Sequence, residues 1–225
     1  CRAEHIRPVD GGGVEVTAGG ETELYDACIA TTSPGLLARM APDLAEDYLG
    51  RLLELDSMGA VVLTLALKES LLGDSGTYWL NIPATSPDKA GGVPFLALVE
   101  HTNYIDHSHY GGDHIIYCGD YVTPDHPYLS MEQAELEKLF VGVLHRFNPN
   151  FRPDWVRKSW LFRARYAQPV PKLNHSQLVP DLRTPMPGLY LASMSQVYPW
   201  DRGTNFAVEI GRRVARLALA DATER

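Results

Sequence analysis

The sequence is short of most features that mark a specialised chain. Its 225 residues contain 3 cysteines, Cys1, Cys28 and Cys118, far apart and without a CxxC pair. That excludes a disulfide framework and points to a reducing, cytoplasmic setting. Cys28 and Cys118 lie in apolar stretches and read as inert core thiols. Long apolar runs are also missing. The longest, Gly59 to Leu67, is too short to span a bilayer, and no signal peptide is visible. Positive charge is scarce, with Lys+Arg 20 against Asp+Glu 28 and a formal net charge of -8. This balance offers no electrostatic footing for nucleic acid. Arg152, Arg157, Lys158, Arg163 and Arg165 form a candidate basic group but read as solvated positions on strands and turns. No GxGxxG occurs: Gly11-Gly12-Gly13 and Gly111-Gly112 have the wrong spacing. There is no internal repeat, Ser-His-Asp order, phosphate loop or paired-carboxylate motif, so no general base can be named.

What is present is an ordinary globular composition, 45% hydrophobic and 21% charged. The length allows one large domain or two small ones. Val14 to Thr17 alternates as a strand, and Leu24 to Thr31 reads as a second, more buried one. Ser33-Pro34 opens a helix through Met40, and another is expected over Asp43 to Leu55. "GAVVLTLAL", "TYWLNI", "PFLALVEH" and "HIIYCGDYV" are strand candidates. Met131 to Phe147 has helical periodicity, ended by Asn148-Pro149. Trp155 to Val170 reads as one long or two short strands. A proline-rich connector follows. The expected class is α+β: a mixed, mainly antiparallel sheet domain with helices at 43–187, flanked by pieces at 1–42 and 188–225. The flanking pieces read as parts of one nucleotide-binding layer with the sheet domain inserted between them. The opening on Cys reads as the middle of a longer protein.

The closing stretch "GLYLASMSQVYPWDRGTNFAVEIGRRVARLAL" carries the most chemistry. It reads as a short strand, an aromatic loop and a helix opened by Gly203-Thr204-Asn205. A helix N-terminus leaves N–H groups unpaired and carries positive partial charge, which suits an anion or an electron-rich ring edge. Gly203 permits close approach, and Thr204 or Asn205 can cap. Ala207 and Gly211 share a face that can pack on a sheet or a flat cofactor, with Arg212 and Arg213 toward water. Residues alone leave the plainer alternative open: a capped terminal helix docked on the core.

The pattern resembles the C-terminal flavin-binding segment of the flavin-dependent amine oxidase, protoporphyrinogen oxidase and phytoene desaturase superfamily. Gly188 to Ala192 match its closing strand, and Ala207, Val208, Gly211, Arg212, Arg213 and Ala215 match its helix. Upstream, "LYDACIATTSPGLLARMAPDL" is similar to the superfamily's strand-to-helix passage. The UDP-galactopyranose mutases share this broad architecture. The resemblance implies FAD in the complete protein, with its ADP-binding βαβ unit upstream of Cys1. It implies that 1–42 and 188–225 are parts of an FAD-binding, Rossmann-like domain and 43–187 a substrate domain. The helix near Gly203 would face the flavin's pyrimidine edge, where fixed dipoles stabilise negative charge on reduction. Cofactor contacts then fall on Ser193, Met194, Tyr198, Trp200, Asp201, Gly203, Thr204, Asn205 and Phe206. The sequence departs from the superfamily in placing Ser193-Met194 where many members have Gly-Asp, leaving Asp201 as the alternative acid.

Two further clusters stand out. "EHTNYIDHSHYGGDH" gathers four histidines and three carboxylates, but at no metal-motif spacing, and reads as a polar hairpin. No metal is expected. Tyr78, Trp79, Asn81, Tyr117, Tyr121 and Tyr166 are candidates to line an apolar pocket with polar tips, with Gln168 near the return to the cofactor domain. Singly, each reads equally as core. The expected partner is a small-molecule substrate, with homodimer formation and peripheral membrane contact left open. The readings carried forward are an FAD-dependent oxidoreductase fragment, a mutase-like flavoenzyme using Arg163, Arg165 and Lys172, and a non-catalytic binding module.

Overall fold

The computed structural model describes residues 1–10, 12–83 and 92–223; Gly11 of the glycine triplet and the last two residues of the 188–225 piece lie outside them. The chain divides into two units, residues 1–56 with 169–225, and residues 57–168. These limits differ from the expected 42 and 187. Helix α2 (Glu46–Leu53) buries Tyr48 and Leu52 in the same core as Ile6, Leu37 and Leu191, which assigns it to the first unit.

In the first unit, β1 (Ala3–Pro8), β2 (Val14–Ala18) and β3 (Glu21–Tyr25) form an antiparallel sheet in that order. The single buried strand expected over Leu24 to Thr31 is absent. β3 is exposed at every position, and a break at Asp26-Ala27 separates it from β4 (Cys28–Ala30). The chain changes sheets there: β3 pairs antiparallel with β2, whereas β4 pairs parallel with β10 (Leu189–Leu191). Leu189 and Leu191 face the core that includes α1 (Pro34–Met40), while Tyr190 and Ala192 face Ile210 and Val214 of α4 (Thr204–Thr223). A strand covered on both faces is normal for parallel pairing and explains why "LYL" does not alternate. Ser33 occupies the cap of α1, but its side chain makes no cap hydrogen bond.

In the second unit, five strands are ordered β6 (Trp79–Asn81), β7 (Ala97–Glu100), β8 (His114–Val122), β5 (Ser57–Leu67) and β9 (Val156–Pro169). β9 is one long strand. The β6–β7, β7–β8 and β8–β5 pairs are antiparallel. One sheet face carries the core: Val61, Leu63 and Leu65 with Ile116 and Cys118, packed with Leu136 and Phe140 of α3 (Gln133–Val141). The helix expected over Met131 to Phe147 stops at Gly142, a poor helix former, and a short 3₁₀ turn at Leu144–Arg146 follows. No helix among the described residues is long and apolar enough to cross a membrane.

Candidate functional site

In the first unit the residues of interest surround the start of α4. The first helical residue is Thr204, and Ala207 N–H donates to the Gly203 carbonyl at 3.0 Å. Gly203 therefore holds the cap position, and Thr204 and Asn205 lie inside the first turn rather than capping it. The N–H groups of Thr204, Asn205 and Phe206 precede the first intrahelical bond. Ala207 and Gly211, expected on a packed face, are exposed; the docked face is Ile210 and Val214. A β-carbon built at Gly203 would meet only Asn205 Oδ1 at less than 3 Å, the far end of a movable side chain. Glycine is a favoured helix cap, and at this position it also leaves the backbone open to close approach.

Tyr198, Trp200 and Phe206 line a groove of about 140 Å³ with Gln196 and Arg213. Trp200 stacks on Phe206, centroids 6.4 Å apart, and stays largely exposed. Behind Tyr198 lies the buried ring of His175 at 5.3 Å, whose Nδ1 has no hydrogen-bond partner among the described residues. Ser193 is buried, Met194 starts a 3₁₀ turn, and Asp201 is exposed and accepts from Arg202 N–H at 2.8 Å. None of these three lines the groove. Gln196 is a residue that sequence reasoning missed. Its Oε1 accepts from Ser193 N–H at 2.7 Å, and its Nε2 lies within 3.1–3.2 Å of the Pro180, Asp181 and Leu191 carbonyls. The signal was present as Ser193-x-x-Gln196, the spacing of a capping box. An exposed aromatic shelf beside a helix N-terminus can take the edge of a flat, electron-rich group. The groove itself is too small to enclose a tricyclic ring.

In the second unit the sheet face opposite the core forms a pocket of about 310 Å³. Strand pairing explains its lining, because opposed residues share a face. One row runs Asn81, Ala97, Gly119, Val62; beside it run Trp79, Val99 and Tyr117 on one side and Tyr121 with Ala60 on the other. Four of the expected substrate residues, Trp79, Asn81, Tyr117 and Tyr121, meet here. Trp79 Nε1 donates to Asn81 Oδ1 at 2.8 Å, which fixes the indole. Burial raises the Tyr117 phenol above its ordinary pKa, helped by Tyr110. Tyr78 instead packs against Tyr104 at 5.6 Å, and Tyr166 and Gln168 lie on β9 outside the lining.

The histidine-rich segment folds as two 3₁₀ turns, His101–Asn103 and His107–Tyr110. His101 Nε2 lies 2.6 Å from Tyr110 Oη, and His107 stacks on His114 at 4.9 Å. Among the described residues no group of three or more His, Cys, Asp or Glu is arranged to hold a metal. Arg163 donates to the Met131 carbonyl, Arg165 to the Pro124 carbonyl at 2.9 Å, and Lys172 pairs with Asp56 at 3.0 Å. The first two lie in the second unit and Lys172 in the first.

The sequence matches the family model of flavin-containing amine oxidoreductases over residues 1–219. The chain belongs to that family. No curated protein matches it by sequence. Among solved structures it is similar to the Exiguobacterium sp. 255-15 protein assigned as a protoporphyrinogen oxidase, with TM-score 0.71 and 14% identity, covering 96% of this chain and 46% of that one. It is similar to cyclohexylamine oxidase from Brevibacterium oxydans IH-35A, with TM-score 0.70, 16% identity, and 100% and 49% covered. It is also similar to reduced UDP-galactopyranose mutase, with TM-score 0.59, 17% identity, and 79% and 36% covered. At such identities these likenesses show the fold. This flavin amine oxidoreductase chain spans about half the length of the first two structures, or less.

Proposed function

We propose that this chain is the substrate-binding and closing part of an FAD-dependent oxidoreductase that moves a hydride between a mainly apolar or amine-bearing small molecule and the flavin. The observation that carries the reading is the family match over 1–219, joined to a parallel β4–β10 pair in the unit that α4 closes. When bound, the flavin supplies the two-electron chemistry. The chain's own residues supply position and field. The N–H groups at the start of α4 would stabilise negative charge on the bound flavin, Trp200 and Phe206 would give it a flat apolar contact, and Gln196 holds the loop that carries Trp200. Trp79, Asn81, Tyr117 and Tyr121 bind the substrate.

A mutase-like reading draws support from the fold likeness to the galactopyranose mutase. It needs a cationic diphosphate site, and Arg163, Arg165 and Lys172 are each engaged locally. The oxidoreductase reading is the better supported. Its test compares visible spectra of this chain and of a version extended upstream through its natural start. A flavin spectrum in the extended protein, with FAD bound weakly or not at all by the 225 residues alone, is the expected result. Absence of flavin from both, with no uptake of added FAD, would overturn it in favour of a non-catalytic binding module.

A further inference from the structure

Gly119 sits in the middle of β8, between Val62 on β5 and Ala97 on β7. Glycine in a strand interior weakens the strand, and usually marks a bulge or the close approach of another group. The β5–β8 register runs without a bulge from Gly59↔Val122 to Leu67↔His114. Gly119 does not have the positive φ that would demand glycine, and a β-carbon there would meet only Val62 Cγ2, at 3.9 Å. Neither backbone conformation nor packing requires this glycine. What it leaves is space, at the centre of the pocket floor.

The central row of the floor sets Gly119 and Ala97 between Asn81 and Val62, with Ala60 beside it, and Trp79, Tyr117 and Tyr121 flank that row. Among the described residues lining the pocket, one carries a carboxylate, Asp120. Asp120 borders it, but its partner across the sheet is Val61, so its carboxylate lies on the core side. Trp79 N–H is already committed to Asn81. Aromatic walls attract cations, but the Asp120 carboxylate lies behind the sheet, so an ammonium group taken into the apolar slot gives up hydration without a direct ion pair in return.

We propose that Gly119 determines specificity by setting the depth of this slot, and that the slot receives a flat, uncharged ring system. The inference rests on the substrate-site reading only in calling the occupant a substrate; binding in the slot needs no flavin.

The test uses the whole chain, with indole as probe and tryptamine as its charged counterpart, followed by amide chemical shifts. Indole is expected to give saturable shifts at residues 79–81, 97–99 and 117–121. Gly119→Leu should weaken it about tenfold or more, and Gly119→Ala less, with the thermal midpoint of Gly119→Ala at or above that of the parent. Tryptamine should bind more weakly than indole. Should Gly119→Leu fail to fold, Ala97→Leu closes the same floor from β7. No saturable indole binding, or unchanged binding in folded floor variants, overturns the slot; tighter binding of tryptamine overturns its preference for an uncharged ligand. A flavin-bearing extended protein without indole binding refutes the slot alone, and indole binding by an extended protein that neither carries flavin nor takes up added FAD refutes only the redox reading.

Discussion

Glu100 is a fully buried carboxylate that accepts from Ser70 Oγ at 2.7 Å, Leu71 N–H at 3.2 Å and Leu72 N–H at 2.6 Å, with His114 Nδ1 at 3.6 Å. It ties the end of β7 to the turn after β5. Glu100→Ala leaves those donors buried without an acceptor and is expected to cost about 3 kcal/mol in urea unfolding, with Glu100→Gln losing less because one acceptor oxygen remains. Tyr48 makes a different case. Burial pushes its phenol up to about 12, Asp181 adds to the rise, and Arg51 opposes it. The folded value exceeds the ordinary 10.0, so the contribution is complete below pH 10 and is lost as pH climbs through about 12. Urea midpoints measured across that window should fall more for the parent than for Tyr48→Phe.

At the scale of elements, α4 separates docking from binding. Ile210 and Val214 anchor it to β10, whereas Gly203 at its start is half-buried. Ile210→Ala should lower stability by about 2–4 kcal/mol through cavity formation. Gly203→Val should cost the fold about 1 kcal/mol, because valine is a poor helix cap and the Asn205 side chain must move, and should weaken flavin retention in the upstream-extended protein. Equal flavin content in that variant and its parent would remove the helix start from the cofactor site. The aromatic loop was legible as a contact surface, but the lock beneath it was not read. The capping-box spacing was present at Ser193 and Gln196, while the carbonyls of Pro180 and Asp181 that complete it come from a separate stretch of chain.

Across the molecule, the β4–β10 pair joins stretches that the whole 57–168 unit separates in sequence. Among the described residues, the second unit's core is made of residues within 57–168. Deleting 188–225 removes Leu189 and Leu191 from the first core and none from the second. Hydrogen exchange on that truncation should show protection lost across 1–56 and kept in β5 and β8, because each core is a separate source of cooperativity. Loss of protection in both units would show that the second depends on the first.

The sequence by itself determined the strong elements and the family. β-rich runs, a helix-opening Ser-Pro and the closing strand-loop-helix are local patterns, and local propensity decides them. Tertiary structure decided the rest. Whether Leu24 to Thr31 is one strand or two depends on which partner each half pairs with. Trp79, Asn81, Tyr117 and Tyr121 become one pocket, without Tyr78, Tyr166 or Gln168, only through cross-strand register. Gly119 looks like any strand glycine until Val62 and Ala97 stand beside it and show the space it leaves. Such contacts join residues far apart in sequence, and their energies depend on distances that no local window of sequence contains.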